Sequence, residues 1–194
     1  MTIVRLIAGL GNPGAEHLLD RHNAGFWFAD ALVNAYGGAF RKARRYSGEA
    51  AEIDVHGHEL IVFKPMAYMN RSGLPIKKLS AYRKIPSDGV LIAHDDLDLP
   101  PGTVRLKRGG GHGGHNGLRD AIAHLGADFL RLRFGVGHPG NRDEVVSYVL
   151  RRAPSDEEER IVAAVGAAVE ALPILLAEGE DKAKNRLHSR ASEA

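Results

Sequence analysis

The chain has 194 residues, 44% of them hydrophobic and 26% charged, with a formal charge of +2; this is the balance of a soluble globular protein able to bury one core. It contains no cysteine, which excludes disulfides, thiolate nucleophiles and cysteine-based zinc sites, and so small a net charge does not by itself call for a nucleic-acid partner. The first residues are apolar but soon meet Gly9, Asn12 and Pro13 without a charged n-region or long h-region; with no run of membrane-spanning length, a cytoplasmic location is expected.

Residues 3–8 read as a buried β-branched strand, stopped by Gly9-Leu10-Gly11-Asn12-Pro13-Gly14. An amphipathic helix over 24–35 follows, ended by Gly37-Gly38, and then a small basic cluster, 41–45, that reads as a loop. Residues 49–55 and 59–63 read as two strands joined at His56-Gly57-His58, a hairpin signal. A helix is predicted over 74–83 and a short strand over 90–93, ending on His94-Asp95-Asp96. A polar-alternating strand, 103–107, leads into Gly109-Gly110-Gly111-His112-Gly113-Gly114-His115, then a helix over 116–125 and a strand over 130–136. Residues 143–150 read as a short helix. Ser155 with Glu158 has the spacing of a capping box, and Pro173 is expected to kink or break the helix that starts there. Helices alternating with strands, plus a hairpin, predict an α/β fold: one domain, 1–188, with a mixed twisted sheet flanked by helices, and a polar frayed tail, 189–194.

Three polar clusters follow strands, and ligands of open α/β sheets bind at the carboxyl ends of strands. Gly9, Gly11 and Gly14 have the spacing of a dinucleotide fingerprint, but Pro13 lies inside the turn and no acidic residue ends a second strand at the right distance. His94, Asp95, Asp96, Asp98, His112 and His115 offer metal-ligand chemistry, although His112 and His115 sit in a glycine-rich loop where spacing implies no ligand geometry. Arg21-His22-Asn23 with Asp95 offers a third reading. A carboxylate can hold His22 in the tautomer whose free nitrogen accepts a proton, and without a Cys or a G-x-S-x-G elbow, water is the natural nucleophile. Asn12, Asn70 and Asn116 can orient a substrate or a developing oxyanion. Between residues 101 and 133 six cations (Arg105, Lys107, Arg108, Arg119, Arg131, Arg133) face only Asp120 and Asp128, whereas the part after residue 150 is net acidic. Such a local basic patch suits a polyanion met at one face, or simply a solvated surface.

Taken together and in order, Gly9 to Gly14, Arg21 to Gly25, Lys64-Pro65 with Tyr68 to Gly73, His94 to Pro100, Gly109 to Gly117 and Arg131 to Pro139 resemble the bacterial peptidyl-tRNA hydrolase family. The resemblance implies a monomeric, cofactor-free α/β enzyme without a metal, hydrolysing the ester between a peptide and the 3′ end of tRNA and so recycling tRNA from abandoned translation. It implies that His22 is the base, that Asp95 holds it in its basic form, and that Asn12 helps tell N-blocked from free aminoacyl ends. Tyr68, Asn70 and Asn116 would bind the peptide backbone, water or acceptor end, and Lys107 and Arg133 would clamp the tRNA 5′-phosphate. His17 stands where the family commonly has Tyr near the acceptor end, and Ala67 where Thr is usual. A non-catalytic tRNA-binding protein and a metal-dependent hydrolase using His94, Asp95, His112 and His115 are the alternatives.

Overall fold

Seven strands form one mixed sheet in the order β2-β3-β4-β1-β5-β7-β6, in a computed structural model that describes residues 2–190. The strands are β1 (Leu6–Gly9), β2 (Arg41–Ala43), β3 (Gly48–Val55), β4 (His58–Pro65), β5 (Val90–Asp96), β6 (Val104–Arg108) and β7 (Leu130–Gly135). The central four, β4-β1-β5-β7, are parallel, and both edges are finished by antiparallel partners. Fully parallel strands are buried on both faces, which is why β1 and β5 read as continuous apolar runs.

The helices are α1 (Ala24–Ala35), α2 (Gly73–Tyr82), α3 (Asn116–Leu125), α4 (Val145–Val149), α5 (Ser155–Glu178) and α6 (Glu180–Arg190). One face of the sheet packs Ile7, Val62, Leu91 and Phe134 with Phe28 and Leu32 of α1, Ile161 and Leu172 of α5, and Leu187 of α6. The other packs Leu6, Phe63, Val90 and Ile92 with Ile76 of α2 and Leu118 of α3. The glycines around the first turn serve this packing. A Cβ on Gly9 would lie 2.3 Å from the Gly25 carbonyl oxygen, and one on Gly25 would lie 2.3 Å from that of Ala93. Helix α1 can therefore start hard against the ends of β1 and β5 only because both positions lack side chains.

Several sequence expectations are corrected. The basic cluster is not wholly loop: Arg41–Ala43 pairs with β3 as an edge strand, followed by a 3-10 turn at Arg44–Tyr46. Strand β5 does not end before His94-Asp95-Asp96 but carries them, because they pair with Arg133, Phe134 and Gly135 of β7. The capping box does not form: Pro154 holds the cap position with no side-chain cap bond, and the Glu158 carboxylate binds Arg152 at 2.7 and 2.8 Å. Helix α5 runs through Pro173 unbroken, the turn around it held by buried Ala171, Leu172, Leu175 and Leu176. Helix α5 is also long and apolar enough to cross a membrane by length and composition, contrary to expectation, and here its apolar stripe lies in the core. Helix α6 continues through Arg190, while residues 191–194 of the expected tail lie outside the described residues.

Candidate active site

A cleft of about 470 Å³ opens at the carboxyl ends of β1, β4 and β5, lined by Asn12, His22, Tyr68, Asn70, His94, Asp95, Lys107, His115, Asn116 and Arg133 among others. His22 lies on a 3-10 turn, Arg21–Asn23, between the first loop and α1. Both neighbours of His22 fasten that turn. The buried Arg21 guanidinium donates to the carbonyl of Tyr148 at 2.9 Å and sits 3.8 Å from the centre of its ring. Asn23 exchanges two hydrogen bonds with the Asn12 backbone, accepting at 2.9 Å and donating at 3.0 Å.

Asp95 is the hub. His22 Nδ1 lies 2.9 and 3.0 Å from its two carboxylate oxygens, and His115 Nε2 lies 2.8 Å from Oδ1. Both imidazoles donate, because a carboxylate can only accept. For His22 this puts the proton on Nδ1 and leaves Nε2 with its lone pair toward the cleft. The tautomer of His115 is set from its other side as well, since its Nδ1 accepts the backbone N–H groups of Gly117 and Leu118 at 3.1 and 3.2 Å and so caps α3. Burial works against a charged His22, but the Asp95 carboxylate, its hydrogen bond and the more distant Asp20 outweigh burial and raise its pKa above the ordinary imidazole value. Burial likewise works against ionised Asp95; the two imidazoles overcome it and hold the carboxyl well below the usual range. Burial first, then repulsion from His115, lowers His94 to about 4. Its Nδ1 donates to the Asp95 carbonyl at 2.8 Å.

Asn12 is buried, and its side-chain oxygen accepts the Met69 backbone N–H at 2.8 Å. That contact fixes which end of the amide is which, leaving the NH₂ as the donor available to the cleft. Asn70 and Asn116 are exposed on the rim, as is Tyr68, which is 65% exposed. On the opposite side β6 and β7 present Lys107 and Arg133 on one sheet face, set diagonally in the register. Arg133 is not free: its Nε donates to Asp96 at 2.7 Å. Buried Arg131 donates to the carbonyls of Gly110 and Gly111 and so anchors the glycine loop, in which Gly109, Gly110, Gly113 and Gly114 all have positive φ.

Eight of the nine residues singled out from the sequence thus line one cleft. His17 does not. Its Nδ1 pairs with Asp20 at 2.7 Å, one turn before His22. His115 was missed as a partner of Asp95; its position just before an amphipathic helix, where a side chain caps, was the available signal.

For metal binding, the set brought together is His22, Asp95 and His115, with ligand atoms within 4.8 Å; His112 is not in it, its Nδ1 accepting from Gly114 at 2.9 Å. The donor chemistry of this set fits an ion poorly. Ligation through His115 Nε2 would move its proton to Nδ1, which already faces two backbone N–H donors.

The model of the family described as peptidyl-tRNA hydrolase matches residues 6–194. A peptidyl-tRNA hydrolase of Halorhodospira halophila is 51% identical over 95% of this chain and 96% of its own. One of Alkalilimnicola ehrlichii is 48% identical over 97% and 96%. The crystal structure of the Acinetobacter baumannii peptidyl-tRNA hydrolase superposes with a TM-score of 0.94 at 43% identity, covering 96% of this chain and 95% of that one.

Proposed function

This chain belongs to the peptidyl-tRNA hydrolase family, and from that premise we propose that it hydrolyses the ester joining a peptide to the 3′ end of tRNA with water activated by His22, without a metal, so returning tRNA stranded by abandoned translation. The observation that carries the reading is His22 Nδ1 set against both oxygens of Asp95 in a cleft lined by three asparagine side chains.

In the first step His22 Nε2 takes a proton from water as the water oxygen bonds to the ester carbonyl carbon. The Asp95 carboxylate stabilises the imidazolium that forms, a positioned base being worth about 10²–10⁴ in rate. The negative charge moves to the former carbonyl oxygen, where amide donors of the cleft stabilise it. Collapse expels the tRNA 3′ oxygen, which takes the proton from His22, giving tRNA with a free hydroxyl and a peptide with a free carboxyl.

Asn12 explains a choice between N-blocked and free ends. With its oxygen committed to Met69, only its NH₂ faces substrate. An NH₂ pairs with the carbonyl of a peptide bond and opposes the ammonium group of a free aminoacyl end, donor against donor. Asn70 and Asn116 make the remaining main-chain contacts, and Lys107 with Arg133 binds the 5′-phosphate, giving affinity without sequence reading.

The test is release of blocked amino acid from N-acetyl-aminoacyl-tRNA. His22→Ala abolishes release while tRNA binding persists, and unchanged turnover would sink the mechanism. The metal-dependent alternative predicts loss of activity on chelation, whereas this reading predicts none.

A further inference from the structure

The cleft does not absorb the basic cluster on the far side of the sheet. No acidic residue occurs between positions 38 and 48, which hold Arg41, Lys42, Arg44 and Arg45, nor between 64 and 87, which hold six further cations. Two of these cations are neutralised, Arg83 by Glu52 and Lys64 by Asp30 and Glu49. Among the described residues Arg41, Arg45 and Lys78 have no such partner, and all three are exposed.

The fold sets these charges together with aromatic rings. Arg41 stands opposite Ala50 in the antiparallel register, so the two share a sheet face, and Ala50 packs with Tyr46 against the core that α2 covers. The Arg45 guanidinium lies 5.1 Å from the centre of the Tyr82 ring and 6.0 Å from that of Tyr46, and the two rings are 5.9 Å apart. Lys78 is one helical turn before Tyr82, on the same face of α2. Tyr82 is 60% exposed. At the other end, α2 begins two residues after the turn at Met69–Arg71, which carries Asn70 on the rim of the cleft. Ten helical residues span about 15 Å, so the patch is within one molecule's reach of the reacting ester.

We infer that the face formed by Arg41, Arg45, Lys78 and Tyr82 is a second RNA-binding surface, which holds the body of the tRNA substrate apart from its acceptor end. Cations without acidic partners bind phosphates by releasing counterions, and a guanidinium against the exposed Tyr82 ring is a stacking platform that bases can use. The surface joins unpaired cations to an aromatic face, which favours RNA over an amphipathic peptide. The inference rests on the substrate proposed above, in which tRNA is the leaving group.

The experiment compares wild type with the triple variant Arg41→Ala, Arg45→Ala, Lys78→Ala on two esters: N-acetyl-aminoacyl-tRNA, and the same ester on the terminal trinucleotide alone. On full-length substrate the variant raises KM at least about five-fold with kcat unchanged, and its plot of log KM against log salt flattens by roughly 2–3, one contact per lost cation. On the trinucleotide KM is unchanged. Equal effects on both esters, or none on either, overturn the inference. If wild type cleaves neither ester, the substrate reading fails instead; titration with uncharged tRNA then decides the surface, and equal affinities of the two proteins overturn it. Tighter binding of an acidic peptide or an anionic vesicle than of tRNA also overturns it.

Discussion

Asp95→Asn separates the proposed chemistry from mere binding. The carboxylate accepts two donors at once, His22 Nδ1–H and His115 Nε2–H. Both reach Oδ1, and His22 Nδ1 also lies 3.0 Å from Oδ2, so in asparagine the NH₂ faces His22 Nδ1, donor against donor, whichever way the amide is turned. His115 cannot turn its proton away, since Nδ1 is occupied by two backbone N–H groups. The asparagine oxygen therefore stays on His115 and its NH₂ meets His22, whose proton shifts to Nε2. The base is lost without loss of a side chain from the cleft. A base worth about 10²–10⁴ in rate corresponds to about 3–5 kcal/mol of barrier, at roughly 1.4 kcal/mol per decade. The assay is single-turnover release from N-acetyl-aminoacyl-tRNA with substrate affinity measured separately. The rate falls by two to four decades with affinity held, and His22→Ala added to Asp95→Asn lowers it little further, because residues acting as a unit are not additive. A rate within ten-fold of wild type, or additive losses, refutes the arrangement.

Other expectations follow from the same geometry. Because the base must be unprotonated, kcat/KM rises with pH on an acid limb whose midpoint lies above the ordinary imidazole pKa, matching the raised value of His22; a limb at or below the ordinary value would contradict it. The stability contribution of the same group runs the other way, being full below the unfolded-state pKa and lost as pH rises through the folded one. His94, depressed to about 4, makes stability fall as pH drops from about 6.5 toward 4; urea midpoints at pH 5 and 7 show a smaller difference in His94→Gln. Arg21→Lys loses the guanidinium stacked on the Tyr148 ring and weakens the Nη1 donation to the Tyr148 and Arg151 carbonyls, costing about 2–4 kcal/mol in urea melts and lowering kcat through the turn that holds His22. Lys107→Ala or Arg133→Ala weakens binding of tRNA carrying a 5′-phosphate more than of tRNA lacking it; an equal effect on both removes that assignment. The Arg133→Ala effect is the smaller, because Asp96 already engages that guanidinium.

Much of this was legible in the residues. Helices α1 and α3 begin and end where their apolar periodicity does, at Ala24–Ala35 and Asn116–Leu125, because one face of each is buried. Strand β2 was not legible, since three residues without apolar alternation owe their state to the pairing offered by β3. Nor was α6, a polar helix held by Ala183 and Leu187 against β6 and α5. Residue chemistry offered the pairing of His22 with Asp95 as one reading among three, and the resemblance singled it out; 73 residues separate them, and the parallel order of β1 and β5 brings them together. His115 escaped because its role comes from the backbone it caps.

Where that backbone enters the cleft has a bearing on drift and engineering. Asn12 is oriented by the amide of residue 69, and His115 by those of residues 117 and 118. Amide groups are common to every residue except proline. The reading of the substrate and the setting of the base are thus insulated from side-chain exchange at positions 69 and 118, where packing alone limits the choice. A library at those two positions should yield active enzymes with many side chains, and proline should be missing from both.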